Sequence, residues 1–304
     1  MSFRTEELRF GCGRTTLYSL ISFMISRDDK QIAHFEDGES NEPSPSGIYA
    51  GRSTKTKESM KRLLKRSSFI VEAVRAMRAG IVDIKKLTGF MIRGRQIKRY
   101  FRNSPVKKLQ LGTSNSLISG WLNTDVLPTS REVVYLDATR RFPFKDDTFD
   151  YVYSEHMVEH IEYQSALLML RECFRVLKPG GKIRMSTPDL KVLVGLFSNE
   201  KTTSQTFYVD WMTRRFLRDV TYGREVFLIN NAFRAWGHQF LYDRETIGIT
   251  MNKIGFENIR CYRPGDSDDE NLSGIESHGS VMGCEEINQF EAFAVEGDVP
   301  DLKK

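Results

Sequence analysis

An E-H-x-x-E-H sequence concentrates side chains that can move protons or bind metals. Histidine has a pKa near neutrality, so it can accept a proton at physiological pH. His156 and His160 are four residues apart and lie on one face if the segment is helical. With Glu159 they also have the spacing of metal ligands, and Asp189 or His278 could complete such a site. Because the sequence fixes no third ligand, we predict no metal.

Small and acidic residues end three neighbouring stretches of the chain. Gly112, Thr113 and Ser114 follow a short apolar run, and Asp125 and Asp137 end the next two segments. Glycine lets a backbone approach a ligand closely. Open parallel sheets bind ligands at the carboxyl ends of their strands, where a carboxylate can accept hydrogen bonds from ribose hydroxyls. These residues are therefore candidates for one ligand site.

The elements that must position these residues alternate between strands and helices. Short β-branched or aromatic runs predict strands at 108–111, 133–136, 151–153, 182–186, 256–262 and 289–295. Apolar residues at helical spacing predict helices at 164–177 and 243–255, and the first ends at Lys178-Pro179-Gly180-Gly181. Strand, helix, glycine turn and strand in succession indicate a βαβ unit and a parallel sheet.

Five motifs then occur in order along the chain. They are Gly120–Asp125, Phe142–Asp150, Ser154–His160, Arg175–Gly181 and Ser186–Leu190. In this order they resemble the motifs of class I S-adenosylmethionine (SAM)-dependent methyltransferases. The resemblance is to the methyltransferase type 11-like branch often encoded beside polysaccharide-biosynthesis genes. Phe240–Asp243 and Glu276–Gly279 also look like that branch, so the resemblance spans residues 105–296.

The resemblance implies a fold and a cofactor. The fold is a Rossmann-like α/β sheet of seven strands, mostly parallel, with the last strand antiparallel. The cofactor is SAM, whose methionine part the loop Gly112–Ser114 would hold, with Asp125 at its ribose. Asp137 and Ala138 would contact its adenine.

The resemblance also implies catalytic and acceptor-side residues. Ser154, Glu155 and His156 would face the departing methyl group. Methyl transfer to a hydroxyl is an in-line displacement that often needs removal of the hydroxyl proton. We predict His156 as the general base and Glu155 as the residue that orients it or the substrate. The residues predicted on the substrate side are His160, Asp189, His238 and His278.

The predicted function is O-methylation of a saccharide or glycan precursor. Residues 196–242 are predicted to cover the acceptor, and their aromatic side chains either form core or stack on sugar rings. The family loop usually reads G-x-G, and here Ser114 replaces the second glycine. Two alternatives stay open: a methyltransferase for RNA or another small molecule, and a SAM-fold binding or scaffold protein without catalysis.

Basic charge defines the domain organisation. The segment Arg52–Arg102 carries 16 basic and three acidic residues, while the chain as a whole has a net charge of +5. We predict a weakly structured segment at 1–50, a basic amphipathic helical arm at 51–103 and the methyltransferase domain at 104–304. The arm is predicted as two helices, from Thr56 to Ile84 and from Asp83 to Tyr100.

The arm also raises the question of a partner. In one interpretation, its apolar stripe packs on the catalytic domain. In the other, the arm binds an anionic membrane surface or another polyanion, among which nucleic acid is less favoured. Scattered cysteines and an N-terminal apolar stretch too short to span a bilayer predict a cytoplasmic protein. An arm on lipid would place it at the inner face of the membrane.

Overall fold

The computed structural model describes residues 53–217 and 220–301 of the chain. The chain divides into two compact units, Met1–Ser68 and Phe69–Lys304. The second unit contains the whole sheet. The segment 1–50, predicted as weakly structured, lies outside the described residues.

Seven strands and eight α-helices build the described part of the chain. The strands are β1 (Lys108–Leu111), β2 (Leu122–Asp125), β3 (Val134–Tyr135), β4 (Phe149–Glu155), β5 (Leu177–Pro188), β6 (Glu257–Tyr262) and β7 (Ala292–Asp298). The helices are α1 (Ser53–Asn103), α2 (Tyr163–Val176), α3 (Leu190–Gly195), α4 (Thr203–Phe216), α5 (Glu225–Arg234), α6 (Arg244–Ile254), α7 (His278–Met282) and α8 (Glu285–Glu291). A short 3₁₀ turn, Val158–His160, follows β4.

The strands form one sheet in the order β3-β2-β1-β4-β5-β7-β6. Only β7 runs antiparallel to its neighbours β5 and β6, so the predicted Rossmann-like fold with an antiparallel last strand is confirmed. The strand order reverses between β1 and β4, which are adjacent and parallel. A crevice opens at such a switch point, beyond the carboxyl ends of the two strands. The sheet therefore brings the ends of β1 and β4 to one site.

Apolar periodicity explains how the helix between β4 and β5 covers the sheet. In α2 the buried residues are Ala166, Met169, Leu170, Cys173 and Val176, at helical spacing. They pack in one core cluster with buried strand residues such as Leu109, Val152 and Ile183. Strands β1 and β5 are covered on both faces, so their residues 109–111 and 183–188 are all buried, the polar ones included.

A clamp on Arg175 joins two of the sequence motifs. Its guanidinium donates to both carboxylate oxygens of Glu172, at 2.8 and 2.5 Å, and to the carbonyls of Phe142 and Phe144. Glu172 in turn accepts from the Phe142 amide at 2.7 Å. Burial alone would raise the pKa of Glu172, but the hydrogen bonds from Arg175 and Phe142 hold it below its usual range. The clamp fixes the segment that leads into β4.

The N-terminal arm is one continuous helix, not the two that we predicted. No proline interrupts Ser53–Asn103, so no backbone donor is lost and the helix runs through. Its C-terminal end packs on the core through Ile97, Tyr100 and Phe101. Earlier apolar side chains such as Met91 remain exposed, by 74%. No helix in the described ranges is long and apolar enough to cross a bilayer.

The predicted insert at 196–242 contains α4 and α5 and a core of its own. Tyr208, Met212 and Leu228 are buried in it, against Ile287 of α8. The strand predicted at 289–295 begins only at Ala292, because Ile287, Asn288 and Glu291 are buried at helical spacing and belong to α8. Helix α8 thereby connects the insert to the sheet.

Candidate functional site

A cavity of about 650 Å³ opens at the carboxyl ends of β1, β2 and β4. Most residues that the sequence singled out for the cofactor line it together, although they come from separate segments. These are Gly112, Thr113, Ser114, Asp125, Asp137, Ala138, Glu155 and His156. The switch point thus gathers small residues and carboxylates around one hollow.

The loop after β1 makes a close turn in which glycine is required. Gly112 has φ +66°, and a Cβ there would overlap Cγ of Met157 and lie 3.0 Å from its Cβ. Ser114 also has a left-handed backbone, with φ +48°, and its amide donates to Asp125 at 2.9 Å. This anchor holds serine in a conformation that usually favours glycine. Ser114 lines the open cavity and does not fill it.

Two aspartates at the strand ends organise the rim of this cavity. Asp125 accepts the Ser114 amide on one oxygen and the Leu127 amide, at 2.8 Å, on the other. Asp137 accepts from the amide and hydroxyl of Thr139, at 3.0 and 2.6 Å. Asp125 keeps one lone pair on each oxygen, and Asp137 keeps one on Oδ2, which also faces Arg140 at 3.1 Å. Both side chains can therefore still accept a ligand hydroxyl or amine.

These features fit SAM. The glycine at 112 keeps the backbone open where a side chain would collide, and Asp125 presents a carboxylate to the cavity. Asp125 suits the ribose hydroxyls, and the loop 112–114 suits the amino acid part of the cofactor.

Glu155 connects β4 to α7. Its carboxylate accepts the amides of Ser277 and His278, at 2.9 and 2.8 Å, and the Ser277 hydroxyl at 3.0 Å. Glu155 was predicted to orient His156 or the substrate, but in the structure a different carboxylate, that of Glu159, lies against the imidazole of His156. Glu155 positions His278 through the backbone.

His156 sits on a strained backbone between the side chains of Glu159 and Asn288. Its φ is +45°, which is unusual for a residue other than glycine and is typical of functional sites. Nδ1 lies 3.1 Å from Oε1 of Glu159, and Nε2 lies 3.3 Å from the side-chain amide oxygen Oδ1 of Asn288. Burial would lower the pKa of His156, but its bond to Glu159 and the surrounding carboxylates raise it overall. Both nitrogens are engaged, so the imidazole is held in place and favoured in its charged form.

A second cavity, of about 350 Å³, lies beside the first and is largely apolar. The two share His156, His160, His278 and Val281 in their walls. The remaining wall of the second cavity comes mainly from the insert and α8. It includes Tyr208, Arg215, Phe216, Trp236, His238 and Glu291.

Burial shifts the pKa values of several titratable groups of this second cavity towards their neutral forms. Burial, together with the charge of His156, lowers the pKa of His278 to about 3. Burial also lowers the pKa of His238 and raises that of Glu291, which accepts the Tyr208 hydroxyl at 2.5 Å. The ring of His278 stacks on that of His156 with centroids 3.7 Å apart. The charged imidazole therefore lies next to a neutral one at the boundary of the two cavities.

Two predicted residues do not reach either cavity. Ser154 is 1% exposed and lies inside β4, where alternate side chains point to opposite faces of the sheet. Asp189 caps α3 by accepting the Lys191 amide at 3.0 Å, and its other oxygen binds Arg244. Neither residue lines the two cavities, and their contacts with cofactor and substrate stay predictions.

Several lining residues were not found from the sequence. Asn288, which contacts His156, and Glu291, which lines the second cavity, belong to α8, where no motif marks them. A signal was available for one of them, because a glutamate in an otherwise apolar helix-to-strand segment is rarely buried without a partner. Met157 was not predicted either, because its contact with the loop depends on the space beside Gly112, which no sequence pattern shows.

Comparison with known proteins gives a family match over part of the chain. Residues 120–185 match the model of a methyltransferase domain. No curated protein matches the sequence. Among solved structures, the chain is similar to a SAM-dependent methyltransferase from Archaeoglobus fulgidus. The identity is 15%, over 70% of this chain and 94% of that one, with a TM-score of 0.38.

A second similar structure is the phosphoethanolamine N-methyltransferase 2 of Haemonchus contortus in complex with SAM. The identity is 16%, over 68% of this chain and 52% of that one, with a TM-score of 0.34. The matched residues 120–185 contain β2, β4 and α2 and reach into β5. They include Asp125, Glu155 and His156 of the first cavity. Together, the family match, the strand order and this cavity identify the chain as a SAM-dependent methyltransferase.

Proposed function

We propose that the protein transfers the methyl group of SAM to a hydroxyl of a saccharide acceptor. The observation that carries the proposal is the common wall of the two cavities, formed by His156, His160 and His278. A methyl donor in the first cavity and an acceptor in the second would meet at this wall. Methyl transfer needs that proximity, because donor and acceptor must align before reaction.

The lining of the second cavity suits a sugar. Trp236 and Phe216 offer aromatic faces, which stack well on the C–H faces of sugar rings. Arg215, Glu291 and Tyr208 add hydrogen-bonding groups for hydroxyls. The resemblance of the motifs to the polysaccharide-associated branch supports the same class of acceptor.

When bound, SAM supplies an electrophilic methyl carbon attached to a positively charged sulfur. In the transfer, the acceptor oxygen takes the place of the sulfur on that carbon. The protein must hold the acceptor and receive its hydroxyl proton. His156 was the predicted base, but its two nitrogens already face Glu159 and Asn288. We assign it a positioning role instead. We assign the proton to His278, whose ring borders both cavities and on which no hydrogen bond ends within the described residues. Its lowered pKa keeps the ring neutral, and the oxygen becomes a far stronger acid than the imidazolium as it gains the methyl group, so the proton passes to the ring.

The experiment has two stages. Calorimetry with S-adenosylhomocysteine should show binding, and transfer of a labelled methyl group should occur to members of a panel of nucleotide sugars and oligosaccharides. His278→Gln should lower kcat about 10²–10⁴-fold and leave cofactor affinity nearly unchanged. His156→Gln should impair both, since it disturbs the wall.

Three results would contradict the proposal. The chain could fail to bind the cofactor, it could label RNA and not saccharides, or His278→Gln could retain full turnover. The first would favour a SAM-fold scaffold protein, the second a nucleic-acid acceptor, and the third another base.

A further inference from the structure

The residues Glu159, His160 and His238 form a compact ligand set beside the second cavity, which both histidines line. Each offers one ligand atom, and these atoms all lie within 4.8 Å of one another. Glu159 is buried, and the two histidines are half-buried. From this geometry we infer that the three side chains bind one divalent transition-metal ion.

Backbone hydrogen bonds hold the two halves of this set together across 79 residues of chain. The Glu159 carbonyl accepts the amides of Gln239 and Phe240, at 2.8 and 3.2 Å. The side chain of Gln239 donates to the His160 carbonyl at 2.8 Å. These bonds flank the ligands on both sides, so His238 is brought opposite His160 without any contribution from a metal. A site built in this way is organised before an ion binds.

His238 has the outer-sphere contact that metal-binding histidines need. Its Nδ1 lies 2.7 Å from the Ala232 carbonyl, an acceptor only, so Nδ1 carries the proton and Nε2 has a free lone pair. A backbone carbonyl on the far nitrogen commonly fixes the tautomer of a metal ligand. The chain reaches His238 through two successive left-handed residues, Trp236 at φ +56° and Gly237 at φ +80°. Strained residues are typical of functional sites, so the left-handed tryptophan at this turn indicates that the turn places His238 for a function.

Glu159 supplies a buried carboxylate oxygen, Oε1, which faces His156 as an ion pair. Its side chain is fully buried, and Oε2 accepts the Thr187 hydroxyl at 3.1 Å. Oε1 lies 3.1 Å from His156, yet no well-directed hydrogen bond ends on it. Buried carboxylate oxygens are normally hydrogen bonded or bound to a metal. Thr187 and His156 would then be the outer partners that orient the carboxylate.

Two imidazole nitrogens and one carboxylate oxygen select the class of ion. This donor set suits Zn²⁺, Co²⁺, Fe²⁺ or Mn²⁺, whereas Mg²⁺ and Ca²⁺ prefer oxygen ligands. Three protein ligands leave at least one coordination position open, as in catalytic metal sites. His160 and His238 both line the second cavity, so the open position faces that space.

The site has a chemical use that rests on the proposed function. An ion in this place would bind the acceptor hydroxyl and lower its pKa, so that the proton is given up more readily. The acceptor oxygen would then form its bond to the methyl carbon as the carbon–sulfur bond breaks. The electron pair of that bond would remain on sulfur, and the proton would leave the oxygen for His278 as the oxygen–carbon bond forms.

The test uses the full chain without an affinity tag and Co²⁺ as the probe. After metal removal and dialysis against Co²⁺, the wild-type chain should hold one ion and show visible absorption bands without a thiolate charge-transfer band. His160→Gln and His238→Gln should each weaken binding by at least about 100-fold, because loss of a ligand exceeds the usual effect of an outer partner. His278→Gln is the matched control and should keep the ion, because it removes a neighbouring imidazole outside the ligand set.

Cofactor binding is measured in the same samples to separate this proposal from the previous one. Circular dichroism and calorimetry with S-adenosylhomocysteine should show that both ligand variants fold and bind the cofactor. The absence of stoichiometric Co²⁺ in the wild-type chain would overturn the metal site, and so would unchanged binding in both ligand variants. Loss of cofactor binding in the wild-type chain would instead overturn the proposed function.

Discussion

Replacing Gly112 by alanine tests whether the cofactor loop depends on the space beside Met157. Gly112 and Gly120 both have left-handed backbones, with φ +66° and +79°. A Cβ at Gly112 would overlap the Met157 side chain, whereas a Cβ at Gly120 would meet nothing within 4 Å. Gly120→Ala is therefore a matched control that carries the backbone strain without the collision.

The expected magnitudes follow from these two contributions. A Cβ on a left-handed residue costs about 1–2 kcal/mol, and this applies to both variants. Forcing a side chain out of a packed position adds about 1–3 kcal/mol, and this applies to Gly112→Ala alone. We expect Gly120→Ala to lose about 1–2 kcal/mol of unfolding free energy and Gly112→Ala about 2–5 kcal/mol. For a domain of this size, each kcal/mol corresponds to about 2–4 °C in Tm.

Met157 also lines the cofactor cavity, so its displacement should be visible in ligand affinity. Calorimetry with S-adenosylhomocysteine should show at least about tenfold weaker binding for Gly112→Ala, which corresponds to about 1.4 kcal/mol. Gly120→Ala should bind within about twofold of the wild-type chain. Urea denaturation of Gly112→Ala, Met157→Ala and the double variant completes a cycle, in which we expect a favourable coupling of about 1–3 kcal/mol.

Two results would refute this reasoning. Equal destabilisation by the two glycine substitutions would mean that Met157 moves away without cost. Unchanged cofactor affinity in Gly112→Ala would mean that the loop after β1 does not shape the cofactor site.

Three further predictions concern the cofactor carboxylate, the motif clamp and the arm. Asp125→Asn should weaken S-adenosylhomocysteine binding about 10–100-fold in calorimetry, because a hydrogen bond to a charged group contributes about 1.5–3 kcal/mol; unchanged affinity would exclude a ribose contact. Arg175→Met should lower the free energy of unfolding by about 2–4 kcal/mol at neutral pH, since it leaves Glu172 without its charged partner. The pKa of Glu172 is lowered in the folded chain, so the clamp stabilises the fold at pH values above the usual carboxyl pKa. This stabilisation is lost as the pH falls through the lowered pKa of Glu172. The difference between wild type and Arg175→Met should accordingly shrink on acidification, and a constant difference would contradict this. In a flotation assay the protein should bind anionic but not neutral vesicles through its arm. The double variant Ile84→Glu, Met91→Glu should lose this binding, because the two side chains are 65% and 74% exposed among basic neighbours. Vesicle binding that survives both changes would rule out an apolar contact between the arm and lipid.

The fold and the general position of the site could be predicted from local sequence patterns. The spacing of apolar residues in α2 and the glycine turn after it report burial, which is set within a few residues. Once the sheet is parallel, residues that end its strands must meet at one edge. Gly112, Asp125 and Asp137 could therefore be assigned to one hollow from their positions at the ends of predicted segments.

Side-chain orientation at the strand ends could not be predicted in the same way. Ser154 and Glu155 are neighbours in one motif, yet only Glu155 lines the cavity, because adjacent strand residues point to opposite faces. His156 was expected to share a helical face with His160. Its left-handed backbone places it before the 3₁₀ turn, where it pairs with Glu159 three residues on.

Contacts between distant segments were decided by the tertiary structure alone. His238 faces His160 because three hydrogen bonds join segments 79 residues apart. Asn288 reaches His156 from α8, a helix whose last three residues were predicted as strand. Local periodicity reports which side of an element is buried and carries no information about which distant element covers it. The chemistry of the acceptor side depends on those pairings, so the sequence determined the class of enzyme and the folded chain determined its second cavity.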